Sequence, residues 1–470
     1  MKIGKFVSKH SKLILIISTI LLVPAILGFI ASDINYDILS YLPQDIGSTK
    51  GQDILDKKFN SAATSMLILE DKTEYEVDKI KEEINEIEGV SDVISRSSLV
   101  PNMVPNEFLP KELEDAFYSE NSTLVFVKFD NTAASIETEQ AVGKIRNIVG
   151  ESGYLSGISP TVKDTKDLTD KETPIYIGIA VVLSLIVLSF LTKSTFIPIF
   201  FLLNIGYAVI YNMGTNFIFG SISYLTKSIA AVLQLAVTMD YSIFLYHRYE
   251  EEREKYSDHR EAMAVSIEKT INALSGSSLT TIAGFLSLIV MRLALGKDIG
   301  LVMVKGVIFG LITCVTVLPS FILTFDKLIH KYQHKVLLPK FNKTAKFIAK
   351  HHVAFLILGI VLLIPSVYGA QNYDVYYNLD RSLPRDLDSV VALNKLKEDY
   401  DMQSSHFIVM SDEVSDRDVK EMSEKIKDVD GINSVLSKSQ ITGSMIPDEV
   451  LPDKLIDNFE SNGYQMVMID

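Results

Sequence analysis

The sequence predicts a polytopic α-helical membrane protein that carries α+β domains outside the membrane and contains an internal duplication. Three observations support this prediction. The chain of 470 residues is 47% hydrophobic with a mean hydropathy of +0.22, yet 22% of its residues are charged. Seven apolar runs are long enough to cross a hydrocarbon core of about 30 Å. Segments of the first part of the chain also recur in order at a spacing of roughly 341 residues.

The seven apolar runs each approach the twenty residues that a transmembrane helix needs. They cover residues 13–31, 174–191, 196–213, 228–246, 279–295, 301–325 and 353–370. The first run is longer than the apolar region of a usual signal peptide, and no A-x-A cleavage pattern follows it. We therefore expect an uncleaved anchor helix.

Lysine distribution predicts the orientation of these spans. Lysines precede the first span, and residues 326–352 hold seven lysines against one aspartate. Both segments should be cytoplasmic, because positively charged loops stay inside. The predicted organisation has six parts. They are a cytoplasmic N-terminus with the first span (1–32), a first external domain (33–173), five spans (174–325), a basic cytoplasmic linker (326–352), a seventh span (353–370) and a second external domain (371–470).

The first external domain alternates strand and helix patterns. SMLILE, VSDVIS, TLVFVKF and YLSGIS read as strands, while EYEVDKIKEEINEI places Val77, Ile80, Ile84 and Ile87 on one helix face. LPKELEDAF and SIETEQAVGKIRNIVG also read as helices. This order predicts an α+β domain of the split βαβ, ferredoxin-like kind. Residues 247–275 are predicted to form a separate amphipathic connector helix on the cytoplasmic side.

The repeated segments are specific. SKHSKLILIIS resembles AKHHVAFLILG, YDILSYLPQD resembles YYNLDRSLPRD, EEINEIEGVSDV resembles EKIKDVDGINSV, and MVPNEFLPKEL resembles MIPDEVLPDKL. The second copy reaches QMVMID without the five spans that follow the first copy. We expect the chain to be the N-terminal part of a longer protein whose C-terminal half supplies those spans. A shortened protein that functions alone is the alternative.

Asp240 is the most informative single residue, because it interrupts an otherwise apolar span. A charged side chain near the bilayer centre costs roughly 2.5 to 3.5 kcal/mol on insertion scales, and such residues are functional by default. We predict that Asp240 carries protons, with Tyr241 as a relay hydrogen bonder. The alternatives are a protonated structural carboxyl group and a packing role for the tyrosine.

Several neighbours are candidates to support Asp240. Thr280, Thr281 and Thr313 fall at a similar depth and carry hydroxyl groups that can bond a carboxyl group. Lys305 is a possible relay neighbour, although its depth near the outer edge favours snorkelling to water. Gln234 is expected to form a hydrogen bond between helices. Gly306 and Gly310 form a small-xxx-small pair that favours close helix packing.

Other functional classes find little support in the sequence. There is one cysteine, Cys314, and no HExxH pattern, phosphate-binding glycine loop or G-x-S-x-G elbow. We therefore expect neither an enzyme nor a bound cofactor or metal. The acidity of residues 32–173, with 28 acidic and 14 basic side chains, argues against a nucleic-acid partner.

The combination of an anchor, a large external domain, five spans and an Asp-Tyr pair in the fourth span resembles the resistance-nodulation-division (RND) superfamily. It is most similar to the mycobacterial membrane protein large (MMPL) branch. The family pattern G-x-x-x-D-Y stands here as A-V-T-M-D-Y, with Ala236 in place of glycine. DYSIFLYHRYEEE and SSLTTIAGFLSL resemble its usual continuations.

This resemblance implies a secondary transporter with external porter domains in the bacterial cytoplasmic membrane. It implies proton-driven export of hydrophobic or amphiphilic molecules, such as drugs or lipids. Asp240 and Tyr241 would pair with a second Asp-Tyr in the C-terminal half. Expected partners are protons, membrane lipids and the substrate. A lipid or sterol sensor, or a scaffold for envelope assembly, is the alternative function on the same frame, and assistance to protein secretion is a third.

Overall fold

The computed structural model describes most of the chain. It covers residues 2–37, 39–59, 63–99, 117–119, 121–335, 342–373, 383–402, 406–438 and 459–469. Residues 109–116 of the predicted helix LPKELEDAF lie outside this part, as do Pro105, Pro110, Pro447 and Pro452 of the repeat. The described chain divides into two compact units. A helical unit comprises Met1–Asp33, Thr173–Val290 and Asp298–Ser382, and a mixed unit comprises Ile34–Glu172, Met291–Lys297 and Leu383–Asp470.

The helices are numbered in chain order. They are α1 (Lys2–Lys9), α2 (Ser11–Ile30), α3 (Gly47–Lys58), α4 (Glu74–Asn85), α5 (Arg96–Leu99), α6 (Ile136–Val149), α7 (Ile158–Leu191), α8 (Phe196–Gly214), α9 (Tyr224–Arg253), α10 (His259–Leu288), α11 (Ala294–Thr324), α12 (Asp326–Lys331), α13 (Asn342–Lys350), α14 (His352–Gln371), α15 (Asp388–Asp399) and α16 (Asp416–Lys427).

The strands are short. They are β1 (Asp33–Asn35), β2 (Ala63–Glu70), β3 (Val90–Ile94), β4 (Tyr118–Ser119), β5 (Ser122–Phe129), β6 (Gly153–Gly157), β7 (Ser221–Ser223), β8 (His406–Ser411), β9 (Val435–Leu436), β10 (Glu460–Ser461) and β11 (Tyr464–Ile469).

Seven of the described helices are long and apolar enough to cross a membrane: α2, α7, α8 with the short helical turn that follows it, α9, α10, α11 and α14. Each of the seven predicted spans overlaps a different one of these helices over most of its length, so the prediction of a multi-pass membrane protein is confirmed. Several helices begin well before the predicted spans. For example, α7 begins at Ile158, sixteen residues before the predicted span starts at Pro174.

The prediction of a separate connector over residues 247–275 is wrong. Its first residues belong to the end of α9, and from His259 onward it is continuous with the fifth span in α10. The Asp258 side chain caps the start of α10 by accepting a hydrogen bond from the Arg260 amide at 3.0 Å. No proline interrupts the helix after this cap. The same helix ends at Leu288 rather than at residue 295.

Within the helical unit, α2 and α8 pack with their backbones close together. A methyl group added at Gly28 would lie 2.1 Å from the carbonyl oxygen of Gly214. Two tyrosines of α8 complete the contact. The Tyr211 hydroxyl donates to the carbonyl of Ser18 at 2.6 Å, and the Tyr207 hydroxyl lies 2.8 Å from that of Thr19. Small residues permit this approach, which is how helices associate where lipid is the solvent.

The mixed unit contains an antiparallel sheet of strand order β3-β5-β2-β6, with β4 paired to β5. The elements alternate along the chain as β2-α4-β3-β5-α6-β6. Thr73 and Glu76 form a reciprocal capping box at the start of α4. The predicted apolar face of this helix is confirmed, because Val77, Ile84 and Ile87 are buried against one face of the sheet and Ile80 packs beside them.

The opposite face of the same sheet is covered by a helix from far along the chain. Met66 and Ile68 of β2 alternate with the side chains that face α4, as the two-residue period of a strand requires. They pack against Leu396 of α15. Polar contacts flank this cluster: Lys395 pairs with Glu70, and the Tyr400 hydroxyl lies 2.9 Å from that of Ser122.

A second small sheet has the order β10-β11-β8, with β9 paired to β11. Helix α3 packs against β8, and the Asn462 side chain donates to the carbonyl of Lys58 at 3.0 Å. Helix α3 precedes the first sheet and α15 precedes the second. Helix α3 therefore packs on the second sheet, and α15 packs on the first.

The two repeated segments, residues 33–173 and 371–470, each bury a basic side chain at corresponding positions of the repeat: Arg96 in the first and Lys438 in the second. Arg96 contacts Glu74 at 3.2 Å, and Lys438 contacts Glu460 at 2.6 Å. In the first segment the Tyr118 hydroxyl donates to Glu74 at 3.0 Å. Burial and then this carboxylate raise the pKa of Tyr118 to about 12. The tyrosine is therefore a neutral donor at physiological pH.

Leu396→Ala is expected to weaken the packing of helix α15 on the first sheet. The Leu396 side chain is 3% exposed, and removal of a buried leucine costs about 2 to 5 kcal/mol. Hydrogen exchange of the α15 amides should accelerate while that of α4 remains unchanged. Val429→Ala is the matched control, since Val429 is 55% exposed. Equal exchange in both variants would show that α15 does not depend on the contact with the sheet.

Candidate functional site

The candidate site lies on α9, the helix that carries Asp240. The N-terminal end of α9 is fixed to α11 through Asp298, whose carboxylate accepts hydrogen bonds from the Ser223 amide at 2.8 Å and the Thr226 hydroxyl at 2.6 Å. Ser223 also caps the helix by accepting from the Leu225 amide. These contacts set the rotation of α9 and therefore the direction in which each of its faces points.

One face of α9 carries polar side chains four residues apart, and all three are buried: Gln234, Thr238 and Ser242. The spacing places them in one stripe along the helix. Asn212 of α8 donates to the Gln234 side chain at 2.9 Å, and Asn204 donates to the Ser242 hydroxyl at 3.2 Å. The predicted interhelical hydrogen bond of Gln234 is confirmed.

The glycines of α11 allow this polar stripe to approach closely. A methyl group added at Gly306 would lie 2.9 Å from the Asn212 side-chain nitrogen, and one added at Gly310 would lie 2.6 Å from the Thr238 hydroxyl oxygen. Gln234 also donates to the carbonyl of Gly306 at 3.3 Å. Helices α8, α9 and α11 thus form one packed group, with Gly306 and Gly310 at the predicted close contact.

Asp240 lies on a different face of α9. Its side chain is exposed, as are Ile229, Leu233 and Phe244, which lie in the same stripe of the helix. Ala236, one turn before Asp240, is also exposed. Within the described part of the chain, Asp240 forms no hydrogen bond or ion pair. The carboxyl group is therefore the only charged group on an apolar stripe that the described helices leave uncovered.

Tyr241 points the other way, into the helical core. Its side chain is 4% exposed and belongs to the cluster that includes Leu245 and Cys314. The two residues of the Asp-Tyr pair consequently lie in different environments: the aspartate faces outward from the packed helices and the tyrosine faces inward. A relay between them would need a rotation of α9 or a partner that reaches both.

The predicted hydroxyl partners of Asp240 form other bonds in the described structure. Thr280 and Thr281 each donate to the carbonyl of Ser277 within α10, at 2.8 and 3.0 Å. The buried Thr313 donates to the carbonyl of Gly310 at 3.2 Å. Each hydroxyl therefore donates its hydrogen bond to a backbone carbonyl of its own helix. The relay roles of these residues remain predictions.

Lys305 does not contact Asp240. Its ammonium group donates to three acceptors at the end of α8 and just beyond it. These are the carbonyl of Asn212 at 3.2 Å, the Thr215 hydroxyl at 3.0 Å and the Asn216 side chain at 2.6 Å. The cation also lies 4.8 Å from the centre of the Phe219 ring. This fixed position leaves Asp240 without a counter-ion from α11.

Sequence reasoning missed the asparagines that complete the buried polar contacts. Asn204 and Asn212 are eight residues apart in an apolar span, a spacing that places both on one helix face. That pattern was the available signal. No group of three or more histidine, cysteine or acidic side chains is arranged to hold a metal ion within the described residues.

The comparisons with known proteins place these observations in a family context. The sequence profile of the MMPL family matches residues 40–343. The chain is 24% identical over 445 residues to the putative membrane protein YdgH of Bacillus subtilis, covering 88% of this chain and 48% of YdgH. It is 27% identical over 210 residues to the probable transport protein MmpL12 of Mycobacterium tuberculosis, covering 41% of this chain and 18% of MmpL12.

Among solved structures, the chain is similar to SecDF in its super-membrane-facing form. The likeness has a TM-score of 0.36 and 13% sequence identity, and it covers 68% of this chain and 38% of SecDF. The chain spans about half the length of YdgH and less than a fifth of MmpL12.

Proposed function

The chain belongs to the MMPL family, and on that premise we propose that it is part of a secondary transporter driven by the proton motive force. The transporter exports hydrophobic or amphiphilic molecules, drugs or lipids, across the bacterial cytoplasmic membrane. The active unit includes a C-terminal half with a second Asp-Tyr span. The similarity to MmpL12, whose name reads probable transport protein, supports a transport role.

The observation that carries this proposal is the isolated position of Asp240. A carboxylate on an apolar helix face costs roughly 2.5 to 3.5 kcal/mol when that face meets lipid, and the neutral acid costs less. A partner span from the C-terminal half would cover the stripe through Ala236 and create a site in which protonation is coupled to helix packing.

Proton transfer is then coupled to export through two alternating arrangements of the spans. With its carboxylate charged, Asp240 needs a polar partner across the interface between the halves. Protonation removes that need and lets the spans repack, and release to the cytoplasmic side resets the pump. Duplicated halves with an ion site near the membrane midplane suit such alternation. The buried hydrogen bonds of Gln234 and Ser242 hold α8 and α9 together as one body during this motion.

The mixed unit is proposed to be the external porter region. Its strand order β3-β5-β2-β6 and its element order support the assignment of a ferredoxin-like, split βαβ domain. The basic segments at residues 1–12 and 326–352 support a cytoplasmic N-terminus and therefore an external location for this unit. The exchange of α3 and α15 joins its two sheets, so that movement of one is transmitted to the other.

The direct test is transport by the full-length protein in proteoliposomes. A fluorescent amphiphile trapped with the protein should leave faster when an inward proton gradient is imposed, and a proton ionophore should abolish the difference. A lipid or sterol sensor would bind the amphiphile with no gradient-dependent movement. Gradient-independent flux, or no flux with any of several amphiphiles, would contradict the transport proposal.

A further inference from the structure

Helices α1 and α13 carry the same pattern. Their sequences are KIGKFVSK and NKTAKFIAK, and each ends just before a membrane-spanning helix begins, α2 at Ser11 and α14 at His352. Each helix has three lysines and no acidic residue. The lysines at the first, fourth and eighth positions of α1 share one face, because helical residues three and four apart are neighbours.

Next to each lysine face lies an exposed apolar surface. In α1, Phe6 is 60% exposed and Ile3 lies beside it, also exposed. In α13, Phe347 is 57% exposed, with Ile348 following it. The phenylalanines occupy equivalent positions and make equivalent contacts. His10 lies on Phe6 with ring centres 4.8 Å apart, and His351 lies on Phe347 at 4.6 Å.

The histidines fix the turn into the spans. Nδ1 of His10 donates to the carbonyl of Phe6, and Nδ1 of His351 donates to that of Phe347, both at 3.0 Å. Each carbonyl also accepts a hydrogen bond from the backbone amide of the same histidine at 3.1 Å, so each histidine contacts it twice. The same short unit, a basic amphipathic helix followed by a histidine turn and an apolar span, therefore occurs twice.

Helix α1 is held in place by its remaining face. Gly4 and Val7 are buried, and the Gly4 amide donates to the Glu268 carboxylate of α10 at 3.3 Å. A methyl group added at Gly4 would lie 2.1 Å from the carbonyl oxygen of Ala264. Packing on α10 thus uses Gly4 and Val7 of α1 and leaves its lysines and one side of the Phe6 ring exposed in the described protein.

We propose that α1 and α13 bind anionic phospholipid headgroups of the cytoplasmic leaflet. The lysines are complementary to the headgroup charge, and the phenylalanines enter the boundary between headgroups and acyl chains, as in interfacial amphipathic helices. The position of each helix, one or two residues from a span, keeps it at the membrane surface. This role concerns the cytoplasmic face and goes beyond the proton-coupled transport proposed above.

The absence of tryptophan from the sequence offers a clean test. Phe6→Trp and, independently, Phe347→Trp each create a single tryptophan in the full chain, which is excited selectively at 295 nm or above after reconstitution in vesicles of phosphatidylcholine with phosphatidylglycerol. One of the two lipids carries brominated acyl chains that quench tryptophan on contact. Leu183→Trp, at an exposed position within the α7 span, is the matched control.

Both helix probes should be quenched more by brominated phosphatidylglycerol than by brominated phosphatidylcholine at equal mole fraction. The expected preference is about fivefold, the enrichment that one lysine near a charged surface provides. Molar salt should remove it, because the Debye length falls to about 3 Å. Replacing Lys2, Lys5 and Lys9 by glutamine should remove it for the Phe6 probe alone.

The Leu183 probe should be quenched equally by the two lipids. Two results would overturn the proposal. Equal quenching of the helix probes by both lipids would show insertion without headgroup recognition. Emission typical of water, with no quenching, would show that α1 and α13 do not lie on the membrane.

Discussion

Asp240→Asn in the full-length protein is expected to reduce proton-driven export to the level of protein-free vesicles. Asparagine keeps the shape and polarity of the side chain but cannot bind or release a proton in the working pH range. The protein should still insert and fold, because Asp240 forms no hydrogen bond or ion pair within the described residues. The measurement is gradient-driven efflux together with the proton uptake that accompanies it.

Two control variants separate loss of the proton from loss of an acid in general. Asp240→Glu retains a titratable carboxyl group and should keep part of the activity. Glu421→Gln removes an exposed acid of α16 and should have no effect. Export by the asparagine variant at the rate of the unmodified protein would contradict the relay role.

Gly310→Ala is expected to destabilise the helical unit. The new methyl group would lie 2.6 Å from the Thr238 hydroxyl oxygen, closer than van der Waals contact permits. Overpacking of this kind typically costs about 1 to 3 kcal/mol, as side chains and backbone shift to make room. Thermal unfolding in detergent should show a lower transition temperature. Gly276→Ala is the control, since no atom lies within 4 Å of its added methyl group.

Thr238→Ala provides the complementary change. The Thr238 hydroxyl oxygen is buried without a hydrogen-bond partner in the part of the chain described, so its removal breaks no hydrogen bond there. In combination with Gly310→Ala it should restore much of the lost stability, with a coupling energy of about 0.5 to 3 kcal/mol. Additive effects of the two substitutions would show that α9 and α11 do not meet at these positions.

The features predicted correctly from the sequence depend on short-range patterns. Apolar runs identified all seven spans, because a bilayer requires about twenty apolar residues whatever the tertiary structure. The face of α4 followed from the positions of Val77 and Ile84. Gln234 was recognised as an interhelical group because a buried amide in a span needs a partner.

The features that were missed depend on long-range contacts or on helix rotation. No local pattern indicates that Leu396 covers the sheet formed by β2 and β5, since the interacting segments are more than 250 residues apart. The role of Thr280 and Thr313 as neighbours of Asp240 was predicted from depth alone, and it remains a prediction because depth does not determine which way a side chain points. In the structure both hydroxyl groups donate to backbone carbonyls of their own helices.

Titration of the Asp240 carboxyl group in the full-length protein tests the central claim most directly. Infrared difference spectroscopy across a pH series detects the carbonyl band of a protonated acid, and its loss in Asp240→Asn assigns that band. The proposed mechanism predicts a band that appears as the pH falls, disappears as it rises and shifts when substrate is added. A band of constant intensity at every pH, or none at all, would contradict it.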